Sequence, residues 1–155
     1  MDRRLFLGSA LCLAGCGYQP LYAPGSALSD LKNNVLVQAP TDRDEFDLVS
    51  EFEAQLGQPV NHNYRLKFDL SITEENAIIH ASQELQRFNV NGALTYYLSR
   101  HDKEQVAQGE VKAFTAYSAT GSTVATSAAR ADARRRLMTT LAERALTHIS
   151  ATAQI

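Results

Sequence analysis

The sequence predicts an α/β (α+β) domain, a two-layer sandwich in which about four strands form a mixed sheet and two helices lie on one of its faces. Long stretches of alternating apolar and polar residues predict half-buried strands. Two other stretches carry apolar residues at helical spacing and predict amphipathic helices. In the order strand, helix, three strands, helix, both helices can cover one face of a small sheet, and the first strand–helix–strand unit is expected to cross over right-handedly.

The first strand and the first helix are bounded by clear signals. Val35–Val37 is a short apolar strand, closed by Pro40. Thr41 or Asp42 is the expected N-cap of the helix, and Gly57 ends it. The apolar residues expected near one face of this helix are Phe46, Val49, Phe52 and Leu56.

Acidic residues crowd the first turns of this helix, and they are Asp42, Asp44, Glu45 and Asp47. A metal site is one interpretation. We prefer a capped and solvated helix start, because Asp44 and Glu45 stand where a capping box needs an acid and the helix dipole favours negative charge there.

The second strand is predicted by the alternation of Tyr64, Leu66, Phe68, Leu70 and Ile72 with polar residues. Residues 73–76 are expected to form a turn. Residues 77–84 are ambiguous between a short strand and an irregular connection.

The third strand is predicted from Phe88 to Leu98. Asn91-Gly92 is a hairpin signal, yet the apolar parity continues through it, so we expect one long strand with a bulge or bend at Gly92. A hairpin is the alternative. Residues 100–105 form the next turn, and residues 106–117 form a fourth strand antiparallel to the third.

The segment 118–127 consists almost entirely of Ser, Thr, Ala and Gly, and we expect a mobile loop. Residues 128–150 then show a helical pattern with five arginines. Its core-facing stripe comprises Ala133, Leu137, Met138, Leu141, Ala142, Ala145, Leu146 and Ile149.

The first residues of the sequence predict an export signal. Arg3 and Arg4 precede the apolar residues 5–14, which as a helix reach only about 15 Å, half of a bilayer core. Leu13-Ala14-Gly15-Cys16 ends this segment. The arginine pair suits a twin-arginine signal or an ordinary charged start. Cleavage would leave Cys16 without a cysteine partner, and lipidation explains such an odd cysteine.

We therefore predict residues 1–15 as a lipoprotein signal peptide, residues 16–27 as a lipidated tether and residues 28–155 as a single domain. Removal of the signal changes the net charge from −2 to −3, because two arginines and one aspartate are lost. That balance does not suit nucleic-acid binding. No nucleophile elbow, HExxH or P-loop is present, so we expect neither an enzyme nor a metal or other cofactor.

The polar face of the sheet is the most promising surface. If the helices cover the apolar face, the side chains that point away are Arg65, Lys67, Arg87, Asn89, Asn91 and Tyr97, with Lys112 joining from the fourth strand. Cations and amide donors on one open face can hold phosphates, and arginine suits paired oxygens. The alternative is a solvated face of the ordinary kind.

The lipobox and the following Gly17-Tyr18-Gln19-Pro20-Leu21-Tyr22 resemble those of the LPS-assembly lipoprotein (LptE) family in its alphaproteobacterial form. The order of elements, with Tyr64-Arg65-Leu66 in a strand and an Ala/Arg-rich final helix, is also similar. The resemblance implies a non-enzymatic protein on the periplasmic face of the outer membrane. It also implies a Cys16 that carries N-acyl and S-diacylglycerol groups.

The same resemblance implies two partners, lipopolysaccharide and the β-barrel LptD, whose lumen family members plug. Arg65, Lys67, Arg87 and Lys112 are then the expected phosphate ligands, by our own inference from the sheet face. Two other functions stay open. One is a lipoprotein subunit of another envelope secretion or assembly machine, and the other is an envelope hydrolase built from distant carboxylates.

Overall fold

The computed structural model describes residues 26–77, 86–102, 104–119 and 122–155. In chain order its elements are α1 (Ala27–Leu31), β1 (Val35–Val37), α2 (Arg43–Leu56), β2 (Tyr64–Ala77), β3 (Gln86–Arg100), β4 (Gln105–Ala119) and α3 (Thr123–Thr152). Cys16, the signal segment and most of the predicted tether lie outside the described residues.

The four strands form one mixed sheet in the order β1-β2-β3-β4. β1 runs parallel to β2, while the β2–β3 and β3–β4 pairs are antiparallel. α2 packs against α3, and α3 packs along β4 and β3. The predicted α+β fold with helices on one face of a four-stranded mixed sheet is confirmed.

The capping box of α2 is present. The Glu45 N–H donates to Asp42 Oδ1 at 2.8 Å, and the Thr41 N–H donates to Glu45 Oε2 at 2.7 Å. At the other end Gly57 has φ 77° and donates its N–H to Glu53 O. Local sequence therefore fixes both ends of this helix.

The core lies between the helices and the sheet. Phe52 of α2 contacts Phe68 of β2 with ring centroids 6.5 Å apart. All eight residues of the predicted α3 stripe are buried. In the described part of the chain no charged side chain is buried in this core.

At Gly92, α3 lies close to β3. A Cβ at this position would lie 2.9 Å from a methyl carbon of Leu141 and 3.0 Å from one of Leu137. β3 passes through Asn91-Gly92 without interruption, so the single strand is confirmed and the hairpin is wrong. The expected bulge at Gly92 is also wrong, because the only register shift in the β3–β4 pairing falls between Leu98 and Ser99.

Gly109 of β4 has the same role farther along α3. A Cβ there would lie 2.8 Å from the ring of His148 and 2.9 Å from the hydroxyl of Tyr96. Those two side chains share a hydrogen bond at the end of the core. Glycine thus makes room for a polar contact between the sheet and the helix.

The expected turn at residues 73–76 is wrong, because β2 continues to Ala77 in register with β3, where Ala77 pairs with Arg87. Long-range pairing therefore overrides the local polar composition. Of the ambiguous segment 77–84, only Ala77 is described.

The predicted loop 118–127 is also mostly wrong. β4 extends to Ala119, and α3 begins at Thr123 after the N-cap Ser122. The alanines of this segment favour a helix once a serine caps it. At the other boundary the predicted tether reaches into α1, which begins at Ala27 after the N-cap Ser26.

Phe46 does not join the core as predicted, and it is 60% exposed. The residues of α2 that are buried are Leu48, Val49, Phe52 and Leu56. Phe46 lies about 120° around the helix from Phe52, so its side chain points away from the buried face.

We expect Gly92→Val to lower the free energy of unfolding by about 1–3 kcal/mol, because its side chain would overpack the Leu137–Leu141 contact. Urea denaturation followed by circular dichroism measures this change. Ala93→Val, on the opposite face of the same strand, is the matched control. Equal stability of the two variants would show that α3 does not approach the sheet this closely.

Candidate functional site: a cationic groove on the open sheet face

The open face of the sheet is set by strand parity. Leu66 and Leu98 point to the helices and are buried. Their neighbours in the register point the other way, so that Arg65 lies opposite Ser99 and Lys67 lies opposite Tyr97. The structure places all the predicted polar side chains, Arg65, Lys67, Arg87, Asn89, Asn91, Tyr97 and Lys112, on this open face.

The predicted four-cation patch is nevertheless not one site. Arg87 pairs with Ala77, twelve residues along β2 from Arg65, which corresponds to about 40 Å of strand. Lys112 pairs with Ala93, and its ammonium lies 3.1 Å from a carboxylate oxygen of Glu110. Only Arg65 and Lys67 remain together, because the strands are longer than the sequence indicated.

Arg65 and Lys67 line a groove of about 670 Å³ at the β1 end of this face. Its walls are formed by side chains from three strands and from the connections beside them, namely Leu36, His62, Tyr64, Arg65, Lys67, Tyr97, Ser99, Arg100 and His101. Five basic side chains therefore surround one concave surface. The aliphatic Leu36 and the aromatic Tyr97 give it an apolar wall.

Three of the basic residues were missed by sequence reasoning. His62 belongs to the connection before β2, while Arg100 and His101 lie where β3 ends. The β2–β3 pairing brings them together, and the His101 N–H donates to Asn63 O at 2.8 Å. No spacing rule could have found them, because Arg100 follows His62 by 38 positions.

The charges of the groove are only partly neutralised. Arg100 lies 3.0 Å from Glu104, and both side chains are exposed, so this ion pair is weak. In the described ranges no carboxylate lies within ion-pair distance of Arg65 or Lys67. The groove can therefore accept an anion without first breaking an ion pair at these two residues.

The polar side chains of the groove walls are histidine, lysine, arginine, tyrosine and serine, and the walls contain no carboxylate and no cysteine. Within residues 26–77, 86–102, 104–119 and 122–155, no group of His, Cys, Asp and Glu side chains is arranged to hold a metal ion. Of the acids at the start of α2, Asp42 and Glu45 form capping hydrogen bonds, and Asp44 pairs with Arg134.

A second polar cluster lies on the helix side of the sheet and was not predicted. Glu74 of β2 accepts a hydrogen bond from Arg130 Nε at 2.8 Å and another from the hydroxyl of Tyr117. Arg134 lies 3.7 Å from Glu74 and also pairs with Asp44 at the start of α2. This cluster joins β2, β4 and both long helices, which gives it a structural role.

The groups around Glu74 lower its pKa. Burial acts to raise it, but the hydrogen bonds from Tyr117 and Arg130 and the charges of Arg130 and Arg134 outweigh burial, so the pKa lies below its usual range. Burial and the carboxylate of Glu74 together raise the pKa of Tyr117. Glu74 is thus held as an anion and Tyr117 as a neutral donor.

Solved structures of bacterial lipoproteins share this fold. A Caulobacter crescentus CB15 protein assigned as a lipoprotein matches with a TM-score of 0.64 and 16% identity, over 80% of this chain and 93% of that chain. Rare lipoprotein B from Shewanella oneidensis matches with a TM-score of 0.57 and 10% identity, over 77% and 93%. A minor lipoprotein from Acinetobacter baumannii matches with 0.51 and 18%, over 76% and 90%.

At these identities the likeness establishes a common fold. No protein-family model matches the sequence, and neither does any curated protein. Among the described residues, no helix has both the length and the apolar character needed to cross a membrane.

We expect Glu74→Gln to reduce stability at neutral pH by about 1–3 kcal/mol, because it removes the charge that two arginines and Tyr117 contact. A lowered pKa in the folded state means that the stabilisation is present above about pH 4.3 and is lost as the pH falls through the folded pKa. The difference between the two proteins should therefore shrink on acidification.

Urea denaturation at a series of pH values from 7 to 3 measures this difference. Glu75→Gln, an exposed neighbour on the opposite face, is the matched control. A stability difference that stays constant over the whole range would show that the charge of Glu74 does not stabilise the fold.

Proposed function

We propose that this chain is a lipid-anchored protein on the periplasmic face of the outer membrane, which binds lipopolysaccharide and assembles with the β-barrel LptD. The observation that carries the proposal is the groove in which Arg65 and Lys67, without carboxylate partners among the described residues, stand beside an apolar wall. A fold shared with bacterial lipoproteins supports the anchor. The resemblance of the N-terminal motif to the LPS-assembly lipoprotein family supplies the named partners.

The anchor would be the acylated Cys16. A single acyl chain binds a bilayer only marginally, with an association constant on the order of 10⁴ M⁻¹, whereas several chains hold a protein stably. The N-acyl and S-diacylglycerol groups expected on Cys16 meet this requirement. The folded domain would then need no membrane span of its own.

The groove suits a phosphorylated glycolipid for two reasons. Arg65 can contact two oxygens of one phosphate, and Lys67 adds a second charge two residues along the same strand face. Leu36 and Tyr97 offer an apolar surface for a sugar ring or the start of an acyl chain. A free inorganic anion would use the charges but not this wall.

The two alternative functions lack such an observation. A hydrolase needs a nucleophile positioned by an acid–base partner. The groove walls include Ser99, His62 and His101, but among the described residues no hydrogen bond joins Ser99 to either imidazole. A subunit of another envelope machine would share the anchor and the fold, and its partner would distinguish it. We therefore propose a binding and assembly factor without enzymatic activity.

The anchor is tested by intact mass spectrometry of the protein purified from membranes. We expect a chain that begins at Cys16 and carries the mass of three acyl groups and a glycerol. Cys16→Ala should leave residues 1–15 attached. A wild-type protein that retains those residues, or that begins with an unmodified thiol, would contradict the proposal.

The groove is tested by lipopolysaccharide binding of the full-length protein in detergent. We expect Arg65→Ala with Lys67→Ala to weaken binding at least tenfold, because both unpaired cations are lost. Arg87→Ala with Lys112→Ala removes the same charge from distant points of the same face and should have little effect. Equal losses in the two double variants would indicate a diffuse electrostatic attraction instead of a site.

The partner is tested by extraction in mild detergent followed by affinity purification at native expression. Recovery of a β-barrel of the LptD type is expected. A clean monomer, or recovery of a different envelope machine, would reject this part of the proposal while leaving the groove measurement intact.

A further inference from the structure

The two edges of the sheet are treated differently by the fold. At the β4 edge, Arg136 of α3 donates to the carbonyl of Ala116 at 3.3 Å, and Arg144 donates to the carbonyl of Lys112. Both carbonyls point away from β3, so the guanidinium groups occupy acceptors that an incoming strand would need. Such cover is a common protection of an exposed edge.

The opposite edge is open over half its length. β1 pairs only with residues 64–66 of β2. Gln38 extends this contact, because its backbone N–H donates to Leu66 O at 2.8 Å and its side-chain amide donates to Phe68 O at 3.4 Å. Tyr64 and Leu66 use their backbone groups to bond toward β1, so the even-numbered residues of β2 direct their N–H and C=O groups away from β3. In the rest of the strand these residues are Leu70, Ile72, Glu74 and Asn76. Among the residues that the structure describes, no hydrogen bond reaches their outward N–H or C=O groups.

The helix side of this edge is apolar in part. Leu70 and Ile72 of β2 point to that side, are half-buried and pack against the core. An added strand can therefore place apolar side chains beside them.

Two carboxylates lie on the open face beside the free part of this edge. Asp69 and Glu75 point to that face from β2, and both are exposed. No cation of the described ranges forms an ion pair with either carboxylate. The edge thus offers backbone donors and acceptors, an apolar contact on the helix side and negative charge on the open side.

We propose that residues 70–76 of β2 accept an extended strand from a partner protein, with basic side chains toward the open face and apolar side chains toward Leu70 and Ile72. Strand addition of this kind takes its affinity from main-chain hydrogen bonds and its specificity from alternate side chains. The proposal goes beyond the proposed function, since it requires neither lipopolysaccharide nor the lipid anchor.

A partner of different sequence fits better than a second copy of this chain. Antiparallel pairing of two copies about Ile72 would set Asp69 of each copy opposite Glu75 of the other. Like charges directly opposite each other destabilise a strand pair. A basic strand removes this repulsion.

The test uses the full-length protein in detergent and an eight-residue peptide of alternating lysine and valine with blocked ends. Without peptide, we expect the amide hydrogens of Leu70, Ile72, Glu74 and Asn76 to exchange at least a hundredfold faster than those of Ser71, Thr73 and Glu75, which bond to β3. With saturating peptide, exchange at the four edge amides should slow at least tenfold. A peptide N-methylated at alternate residues should give no protection.

Ile72→Pro removes an edge N–H without removing a bond to β3, and it should weaken peptide binding at least tenfold. Phe114→Pro makes the same change at the β4 edge and should leave binding unchanged. If Ile72→Pro does not fold by circular dichroism, Asp69→Lys with Glu75→Lys provides the second test, with the same expected loss.

Three outcomes would overturn the proposal. The edge amides could be protected in the protein alone, which would mean that the chain's own residues cover the edge. The peptide could protect β4 instead of β2. The N-methylated peptide could bind as well as the unmodified one, which would indicate charge attraction only.

Discussion

The close approach of α3 to the sheet is the contact on which the rest of the structure depends. It is possible because two strands carry glycine beneath the helix, Gly92 under Leu137 and Leu141, and Gly109 under the Tyr96–His148 pair. Side chains at either position would push the helix outward and open gaps along its buried row, and interiors tolerate such gaps poorly. The helix therefore determines which face of β3 and β4 is buried.

Once one face of the sheet is buried under the helix, the alternation of each strand determines which side chains lie on the open face. Each strand presents every second residue to the open face, so the cations of β2 stand there because Leu66 and Phe68 are needed in the core. The groove arises where three strands and their connections end together. Its basic side chains come from separate parts of the chain and gain proximity only through pairing.

The predictable parts of the fold are those whose signals are local. The ends of α2 follow from the acid that caps it and from Gly57, and the face of Arg65 and Lys67 follows from alternation alone. The end of β2 was not predictable, because residues 73–76 look like a turn until β3 pairs with them. The start of α3 was not predictable either, because the small residues around it are compatible with a loop as well as with a helix.

The site was predictable only in part. The alternation of residues correctly predicted that four cations lie on one face. It does not give the distances between them, because the lengths of the strands were not known. Arg87 was therefore grouped with Arg65 although a long stretch of sheet separates them. Conversely, His62, Arg100 and His101 gave no periodic signal, because they lie at strand ends and in connections.

The length of the strands has one more consequence, which concerns height above the bilayer. Ser26 begins the described domain at the same end as the groove, since Asn34 of the following segment meets Tyr64 and shares a pocket with His101. Ten residues lead from Cys16 to Ser26 and span at most about 35 Å. If Cys16 is acylated as proposed, this length limits the distance between the bilayer surface and the groove end of the domain to about 35 Å. The opposite ends of β2 and β3 lie roughly 40 Å farther along the sheet, so the two ends of the sheet would have different access to lipid.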